Sequence, residues 1–160
     1  MPSPQVPSPP DFTGATLEVA NETLDITVTF APSTLAPETG FRVYLDTDED
    51  VTTGSRVFSN EGSSAIGADY WVTGLNPHDP SRGALTGFIS GSPTFLGMLN
   101  IATGANVRRL SIPLSQLGGD DGRLRFKFEC YQVVASSGSS QTIVQFDVMP
   151  DFGLPAGVVR

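Results

Sequence analysis

Apolar and polar side chains alternate along most of this chain with a period of two, and this period limits the fold more than any other feature. The pattern is clearest in residues 124–130, "LRFKFEC", and it recurs in residues 23–30, "TLDITVTF", and 41–45, "FRVYL". A β-strand turns successive side chains to opposite faces, so the period predicts strands with one apolar face. Strong helix formers are scarce, and lysine occurs once, as Lys127. The sequence therefore predicts an all-β chain.

Turn-forming segments divide the chain into eight or nine short strands. Glycine, proline, asparagine, aspartate and serine cluster at residues 76–80, 118–122 and 136–140, and these residues favour turns. Residues 113–118 are the one helical candidate, a single turn. Short antiparallel strands with one apolar face predict two sheets packed face to face. We expect a β-sandwich of jelly-roll or immunoglobulin-like type, with a closed barrel as the alternative.

Prolines dominate the start of the chain, where five of the first ten residues are proline. Proline has no backbone N–H and is excluded from the middle of a sheet. Residues 1–11 are therefore predicted to be an arm or linker, which either tethers the domain to a neighbour or docks on another subunit. Residues 12–160 are predicted to form a single β-sandwich domain, a length that suits one hydrophobic core.

The charge balance is strongly acidic, with 17 acidic against nine basic residues and a net charge of −8. A nucleic-acid-binding domain needs a basic surface, so this class is excluded. No apolar run approaches the roughly 18 residues of a membrane span. The balance fits a secreted protein or one that meets divalent cations, and we expect an extracellular or cell-surface location.

Catalytic motifs are not visible. The one histidine, His78, lies in the proline-bounded turn at 76–80, and the chain has no nucleophile elbow, phosphate-binding glycine loop or zinc spacing. The one cysteine, Cys130, excludes an internal disulfide, and its place in the alternation predicts a buried thiol. We therefore expect a protein that is not an enzyme.

An acidic loop follows the strand at residues 41–45. Asp46, Asp48 and Asp50 alternate along it, and alternate carboxylates on a turning backbone converge on one centre. A bound Ca²⁺ would convert their mutual repulsion into attraction. The loop is not an EF-hand, because Val51 and Val57 stand where that motif needs glycine and glutamate.

Further oxygen ligands must come from elsewhere. The hydroxyl groups of Thr52 and Thr53 and nearby backbone carbonyls are close in the chain. Asp69 is the best distant candidate, since it is the one charged residue in residues 66–72, "IGADYWV", which we expect to run beside residues 41–45. The alternative is a solvated acidic turn that holds no metal.

Two segments resemble part of a known kind of module. "LDTDEDVTTG" at 45–54, followed by "GADYWV" at 67–72, resembles a strand–loop–strand pattern of secreted bacterial β-sandwich modules, which include carbohydrate-binding and cell-surface interaction domains. The closing "VQFDVMPDFG" is similar to the last strand of such modules. The resemblance implies a calcium-binding fold with Asp46, Asp48 and Asp69 as ligands, whereas Asp50 matches the pattern less closely.

Two aromatic residues are candidates for binding sugars. Trp71 and Tyr44 are out of phase with their apolar neighbours, so together they would form a small platform near the acidic loop. The alternative is that Trp71 packs under a loop or in an interface.

Basic residues are concentrated in two predicted strands, and the set comprises Arg108, Arg109, Arg123, Arg125 and Lys127. If residues 107–113 and 123–130 pair, these side chains form a basic stripe. The stripe would be either a solvated face that pairs with Glu129 or an assembly surface for the acidic face of a second copy.

These observations predict a non-catalytic, calcium-stabilised extracellular module for adhesion or self-assembly, such as a filament subunit. The alternative is a carbohydrate-binding module of a secreted glycan-active protein.

Overall fold

The computed structural model describes residues 11–32, 39–57, 65–74, 79–135, 141–149 and 157–159. The strands in these ranges are β1 (Phe12–Ala20), β2 (Thr23–Phe30), β3 (Thr39–Asp46), β4 (Ser55–Val57), β5 (Ile66–Ala68), β6 (Tyr70–Gly74), β7 (Arg82–Ile89), β8 (Ser92–Asn100), β9 (Ala102–Thr103), β10 (Val107–Pro113), β11 (Leu124–Ala135), β12 (Gln141–Met149) and β13 (Gly157–Val159). A short 3₁₀ helix, Leu114–Leu117, joins β10 to the segment before β11, which confirms the predicted helical turn.

The strands form two large antiparallel sheets and one small one. The first sheet has the order β1-β2-β10-β9, and the second has the order β12-β11-β3-β6-β7-β8, with β13 also paired to β11. In the described ranges, the third sheet pairs β4 with β5. This arrangement confirms the predicted all-β antiparallel sandwich.

The hydrophobic core combines apolar residues of the first and second sheets, as the alternation predicts. Its buried members include Leu24, Ile26, Val28 and Phe30 of β2, Val43 and Leu45 of β3, Leu110 and Ile112 of β10, and Leu124, Phe128 and Cys130 of β11. The rings of Phe126 and Phe128 meet edge to face with centroids 5.5 Å apart. Large apolar side chains buried in this way are the main source of fold stability.

The segment predicted as one strand at residues 66–72 is two strands in the structure. β5 ends at Ala68, β6 begins at Tyr70, and Asp69 lies at a bend between them. β5 pairs with β4, whereas β6 joins the large sheet beside β3. The predicted neighbour of residues 41–45 is confirmed for β6, and Asp69 occupies the point where the chain passes between the two sheets.

The small sheet contributes to a second apolar cluster outside the main core. Ile66 and Ala68 of β5 pack with Tyr44, and Val57 and Trp71 pack against them. In the large sheet Lys127 lies directly opposite Tyr44 and is fully buried. The polar side of β11 is therefore not a solvent-exposed face at this residue.

The predicted basic stripe is wrong. β10, with Arg108 and Arg109, pairs with β2 and β9 in the first sheet, whereas β11 pairs with β3, β12 and β13 in the second. Arg123 precedes β11, and Arg125 is bound to Asp46 across the β11–β3 pair. The four arginines therefore do not form one assembly surface on paired strands.

Cys130 is a buried thiol, as the alternation predicts. Burial raises its pKa to about 12, and the nearby Asp147 carboxylate acts in the same direction. Because the thiolate is the reactive form, we expect the folded protein to resist an aromatic disulfide reagent at neutral pH and to react fully in denaturant. Rapid labelling of the folded protein would contradict this burial.

Several sequence-based predictions fall outside the described residues. These are the structure of residues 1–10, the turn residues 76–78 with His78, and residues 136–140. Within the described ranges, no helix has the length and apolar character needed to cross a membrane.

Candidate metal centre

Three aspartates from separate elements meet at one end of the large sheet. Asp46 is the last residue of β3, Asp48 lies in the loop after it, and Asp69 lies between β5 and β6. The Asp69 backbone N–H donates to the carbonyl of Leu45 at 2.9 Å, which holds Asp69 beside the end of β3. One carboxylate oxygen from each aspartate lies within 4.8 Å of those of the other two. This set is called the aspartate cluster below.

Asp46 is the most unusual member of the aspartate cluster because it is fully buried, with 0% of its surface exposed. Its Oδ2 accepts a hydrogen bond from Arg125 Nη2 at 2.6 Å, but its buried Oδ1 has no hydrogen-bond partner. Burial raises the pKa of Asp46 to about 6; Arg125 opposes this rise, while Asp69 and Asp48 add to it. A buried carboxylate oxygen without a partner is costly, and a cation would remove that cost.

Asp69 is positioned by the residue that follows Asp46. Its Oδ2 accepts from the Thr47 backbone N–H at 2.9 Å and from the Thr47 hydroxyl at 3.0 Å. These bonds fix the orientation of the carboxylate. Thr47 thus acts as a positioning residue that the spacing of aspartates did not reveal.

The loop after Asp48 is closed by its own side chains. Asp48 Oδ1 accepts from the Asp50 backbone N–H at 2.9 Å, and the Thr53 hydroxyl donates to Asp48 Oδ2 at 2.8 Å. Asp50 Oδ1 accepts from the Thr52 backbone N–H at 2.8 Å and hydroxyl at 2.6 Å, and these bonds lower the pKa of Asp50. The structure therefore brings Asp46, Asp48 and Asp69 together and directs Asp50, Thr52 and Thr53 to hydrogen bonds within the loop.

Close packing against β5 fixes the position of the loop. A Cβ atom on Gly67 would lie 2.5 Å from the carbonyl oxygens of both Asp50 and Thr53, a distance that real Cβ contacts do not reach. Only glycine allows the loop backbone to approach β5 this closely. The loop that carries Asp48 is therefore held against the strand that leads to Asp69.

An acidic cavity of about 310 Å³ opens beside Asp48. It is lined by Thr47, Asp48, Glu49, Asp120, Asp121 and Arg123. Burial raises the pKa of Asp120, and Asp121, Asp69 and Glu49 raise it further, so these carboxylates interact with one another. Residues 118–122 were predicted only as a turn; the adjacent Asp120 and Asp121 were the available signal that this turn adds negative charge.

The chemistry of the aspartate cluster is that of a hard-cation site. Its donors are carboxylate oxygens, which suit Ca²⁺ and Mg²⁺ rather than soft metals. With the carboxylates ionised, the three carboxylates and the Arg125 guanidinium have a net charge of −2, which one divalent cation would neutralise.

The two candidate sugar-binding aromatics lie opposite each other on β3 and β6, as predicted, but they do not form an open platform. Tyr44 is only 7% exposed. Its hydroxyl donates to Glu129 Oε1 and accepts from Arg42 Nη1, both at 3.1 Å. Trp71 is half-buried and packs against the second apolar cluster, so its ring is not fully exposed to a ligand.

Fold and site together define an antiparallel β-sandwich with a three-carboxylate cluster at one end of its larger sheet. No family model, curated protein or solved structure matches this chain. The resemblance of residues 45–54 and 67–72 to secreted modules therefore has no matching family behind it.

Proposed function

We propose that this protein is a non-catalytic, calcium-stabilised β-sandwich module that works outside the cell in adhesion or self-assembly. The observation that carries the proposal is the buried Asp46 carboxylate, whose Oδ1 has no hydrogen-bond partner and which lies beside Asp48 and Asp69. A bound Ca²⁺ would give that oxygen a partner and offset the repulsion among the three carboxylates.

Calcium fits the cluster better than magnesium. Ca²⁺ accepts about six to eight oxygen ligands in flexible geometry, whereas Mg²⁺ needs a near-ideal octahedron. The carboxylates come from a strand end, a loop and a bend, a combination that suits an irregular shell. Waters and backbone carbonyls would supply the remaining ligands.

The extracellular location follows from calcium supply. Calcium sites of extracellular modules have dissociation constants of about 10⁻⁴ to 10⁻³ M. A site of this strength fills outside a cell and stays empty inside it. The net charge of −8 adds a general attraction for divalent cations.

The non-catalytic assignment is supported by the partners of the best-placed glutamate. Glu129 accepts from Arg42 Nη1 at 2.7 Å and also from the Tyr44 hydroxyl. This carboxylate is thus engaged in cross-strand bonds within the large sheet. A general acid or base needs a side chain free to exchange a proton with a substrate, and Glu129 is not placed in that way.

Calcium titration calorimetry on the metal-free protein tests the proposal. We expect one site in the range of extracellular modules, about 10⁻⁴ to 10⁻³ M. We expect Asp46→Asn and Asp69→Asn to weaken binding at least tenfold, because each removes a negative ligand. Asp50→Asn should change affinity little, since Asp50 bonds Thr52 rather than the cluster.

Asp25→Asn is the matched control, because Asp25 is an exposed residue of β2 and accepts from the Ser111 hydroxyl. This variant should bind calcium as the native chain does. If the native protein shows no saturable calcium binding, the proposal fails.

A carbohydrate-binding module is the second candidate. The observation that favours it is a cleft of about 200 Å³ lined by Trp71, Arg42, Tyr44, Ser55 and Val57, which combines an aromatic ring with polar groups. Retention on insoluble polysaccharide that is lost in Trp71→Ala would support this candidate over the first.

A further inference from the structure

The strand β8 is an exposed edge of the large sheet. In the part of the chain that the structure describes, β8 pairs with β7 and ends the strand order. It carries large exposed apolar side chains, with Phe95 62% and Met98 49% exposed. Phe95 lies opposite Thr86 and Met98 opposite Ala84 on β7, so both side chains share the outer face of the sheet.

The other described edges of the two large sheets carry a charged residue or are very short, and β8 is neither charged nor short. β1 includes Glu18 and β12 includes Asp147, while β9 and β13 are only two and three residues long. Charge and shortness are common devices that keep edge strands from pairing with other chains. Residues 83–107, which include all of β8, contain no charged residue and form the longest uncharged run in the sequence.

The backbone of β8 is oriented for pairing at Phe95. Ser90 and Gly91 have φ values of 52° and 77° and form a two-residue hairpin turn closed by the pair Ile89–Ser92. In such a hairpin, hydrogen-bonded pairs alternate with pairs whose backbone groups point away. Counting from the closing pair, the N–H and C=O of Phe95 point away from β7, toward the free edge.

Two features limit how long such a pairing can be. Pro93 has no N–H to donate, and Leu96 is an extra residue in a bulge, since Thr86 pairs with Phe95 and Leu85 with Gly97. Prolines and bulges shorten and twist an edge. They favour a short, closed contact around Phe95 over an unlimited β-ladder.

We propose that β8 pairs with β8 of a second copy of this chain to form a two-fold symmetric dimer. Two copies with a net charge of −8 each repel one another, and repulsion is smallest where both surfaces are uncharged. An edge that pairs with itself in antiparallel fashion closes on a two-fold axis. Phe95 and Met98 of both copies then supply the apolar contact.

This inference rests on the self-assembly branch of the proposed function and names its partner and surface. It replaces the arginine stripe as the assembly surface. It does not require calcium, because β8 and the aspartate cluster share no residue.

Sedimentation velocity from about 1 to about 100 µM protein, a range that brackets typical weak dimers, tests the proposal. We expect a concentration-dependent monomer–dimer equilibrium in the native chain. Phe95→Lys and Met98→Lys should each weaken dimerisation by roughly thirtyfold or more, the effect of losing a buried anchor. Both residues are exposed in the monomer, so we expect the variants to fold, and circular dichroism with thermal unfolding checks this.

Val19→Lys is the matched control, because Val19 is an exposed apolar residue on β1 of the other sheet, 36% exposed. It should dimerise as the native chain does. A native chain that stays monomeric over the whole range, or a dimer that Phe95→Lys leaves intact, overturns the proposal. If the chain stays monomeric and binds polysaccharide through Phe95, the β8 edge binds a glycan rather than a second copy, and the dimer proposal is overturned.

Repeating the measurement in Ca²⁺ and in chelator separates the two hypotheses. Dimers in both conditions support the β8 interface whatever the calorimetry shows. Saturable calcium binding by a chain that never dimerises supports the metal site and overturns the interface.

Discussion

We expect Ca²⁺ to raise the free energy of unfolding of this protein by about 2.7 kcal/mol at a hundredfold excess over the dissociation constant. The physical reason is that the folded chain would bind the ion at Asp46, Asp48 and Asp69, whereas the unfolded chain has no assembled site. Urea unfolding in calcium and in chelator measures the difference, and the slope against urea should stay the same.

Variants identify the source of this increment. Asp46→Asn should abolish it, and Asp25→Asn on the opposite sheet should retain it. Equal urea midpoints for the native chain in calcium and in chelator would contradict the expected result.

The same increment should depend on pH. In the metal-free protein the folded-state pKa of Asp46 is about 6, above its ordinary value of 3.8, so the folded state binds this proton more tightly than the unfolded state. The contribution of Asp46 to stability in chelator therefore increases as pH falls from about 7 to about 4. Calcium competes with the proton, so the calcium increment should shrink as pH falls through about 6, which unfolding at several pH values would show.

Replacing the partner of Asp46 is the second change with a large expected effect. We expect Arg125→Met to lower the free energy of unfolding in chelator by about 3 kcal/mol, because it leaves a buried carboxylate without its charged partner. In calcium the loss should be clearly smaller, since the ion still faces Asp46. Urea unfolding of the native protein and of Arg125→Met, each in calcium and in chelator, gives the coupling free energy between Arg125 and calcium directly.

Arg109→Met is the control for this cycle. Arg109 is exposed on β10 of the other sheet, and a surface substitution of this kind changes stability by about 0.5 kcal/mol or less. If Arg125→Met lowers the free energy of unfolding by the same amount in calcium as in chelator, the ion and the guanidinium do not both interact with Asp46.

The sequence was sufficient to predict the core because burial follows the period of two. Leu24, Ile26 and Val28 on β2 and Phe128 and Cys130 on β11 all lie in the core. The period could not predict which strands pair. β10 and β11 both carry arginines and follow one another in the chain, yet the turn at Leu114–Leu117 and the residues after it carry the chain to the other sheet.

The aspartate cluster was predictable in part. Asp46 and Asp48 fitted the loop spacing, and Asp69 was identified because its charge is isolated. Asp50 lies outside the group of three carboxylates in the structure, since the loop backbone turns through Glu49, which has a positive φ of 57°, and Asp50 then bonds Thr52. Arg125 was missed because its pairing with Asp46 depends on the register between β3 and β11, which the period does not specify.

The burial of Lys127 also could not be predicted from the period-two alternation of apolar and polar residues. The pattern of residues 124–130 places Lys127 opposite the core, and this direction is correct. Its burial arises because Tyr44 and the second apolar cluster occupy the same outer face. A local sequence pattern predicts the face toward which a side chain points. It does not predict which distant segments of the chain pack over that face.

The bend at Asp69 has a consequence for the order of folding. Asp46 belongs to β3 of the large sheet. Asp69 lies beside Asp46 only when β6 is paired with β3 and the Gly67 backbone packs against the acidic loop. We therefore expect the three carboxylates to come together late in folding, after strand pairing between distant parts of the chain. A newly made chain would then bind calcium only when its tertiary structure is nearly complete. The ion would stabilise the finished fold rather than nucleate folding.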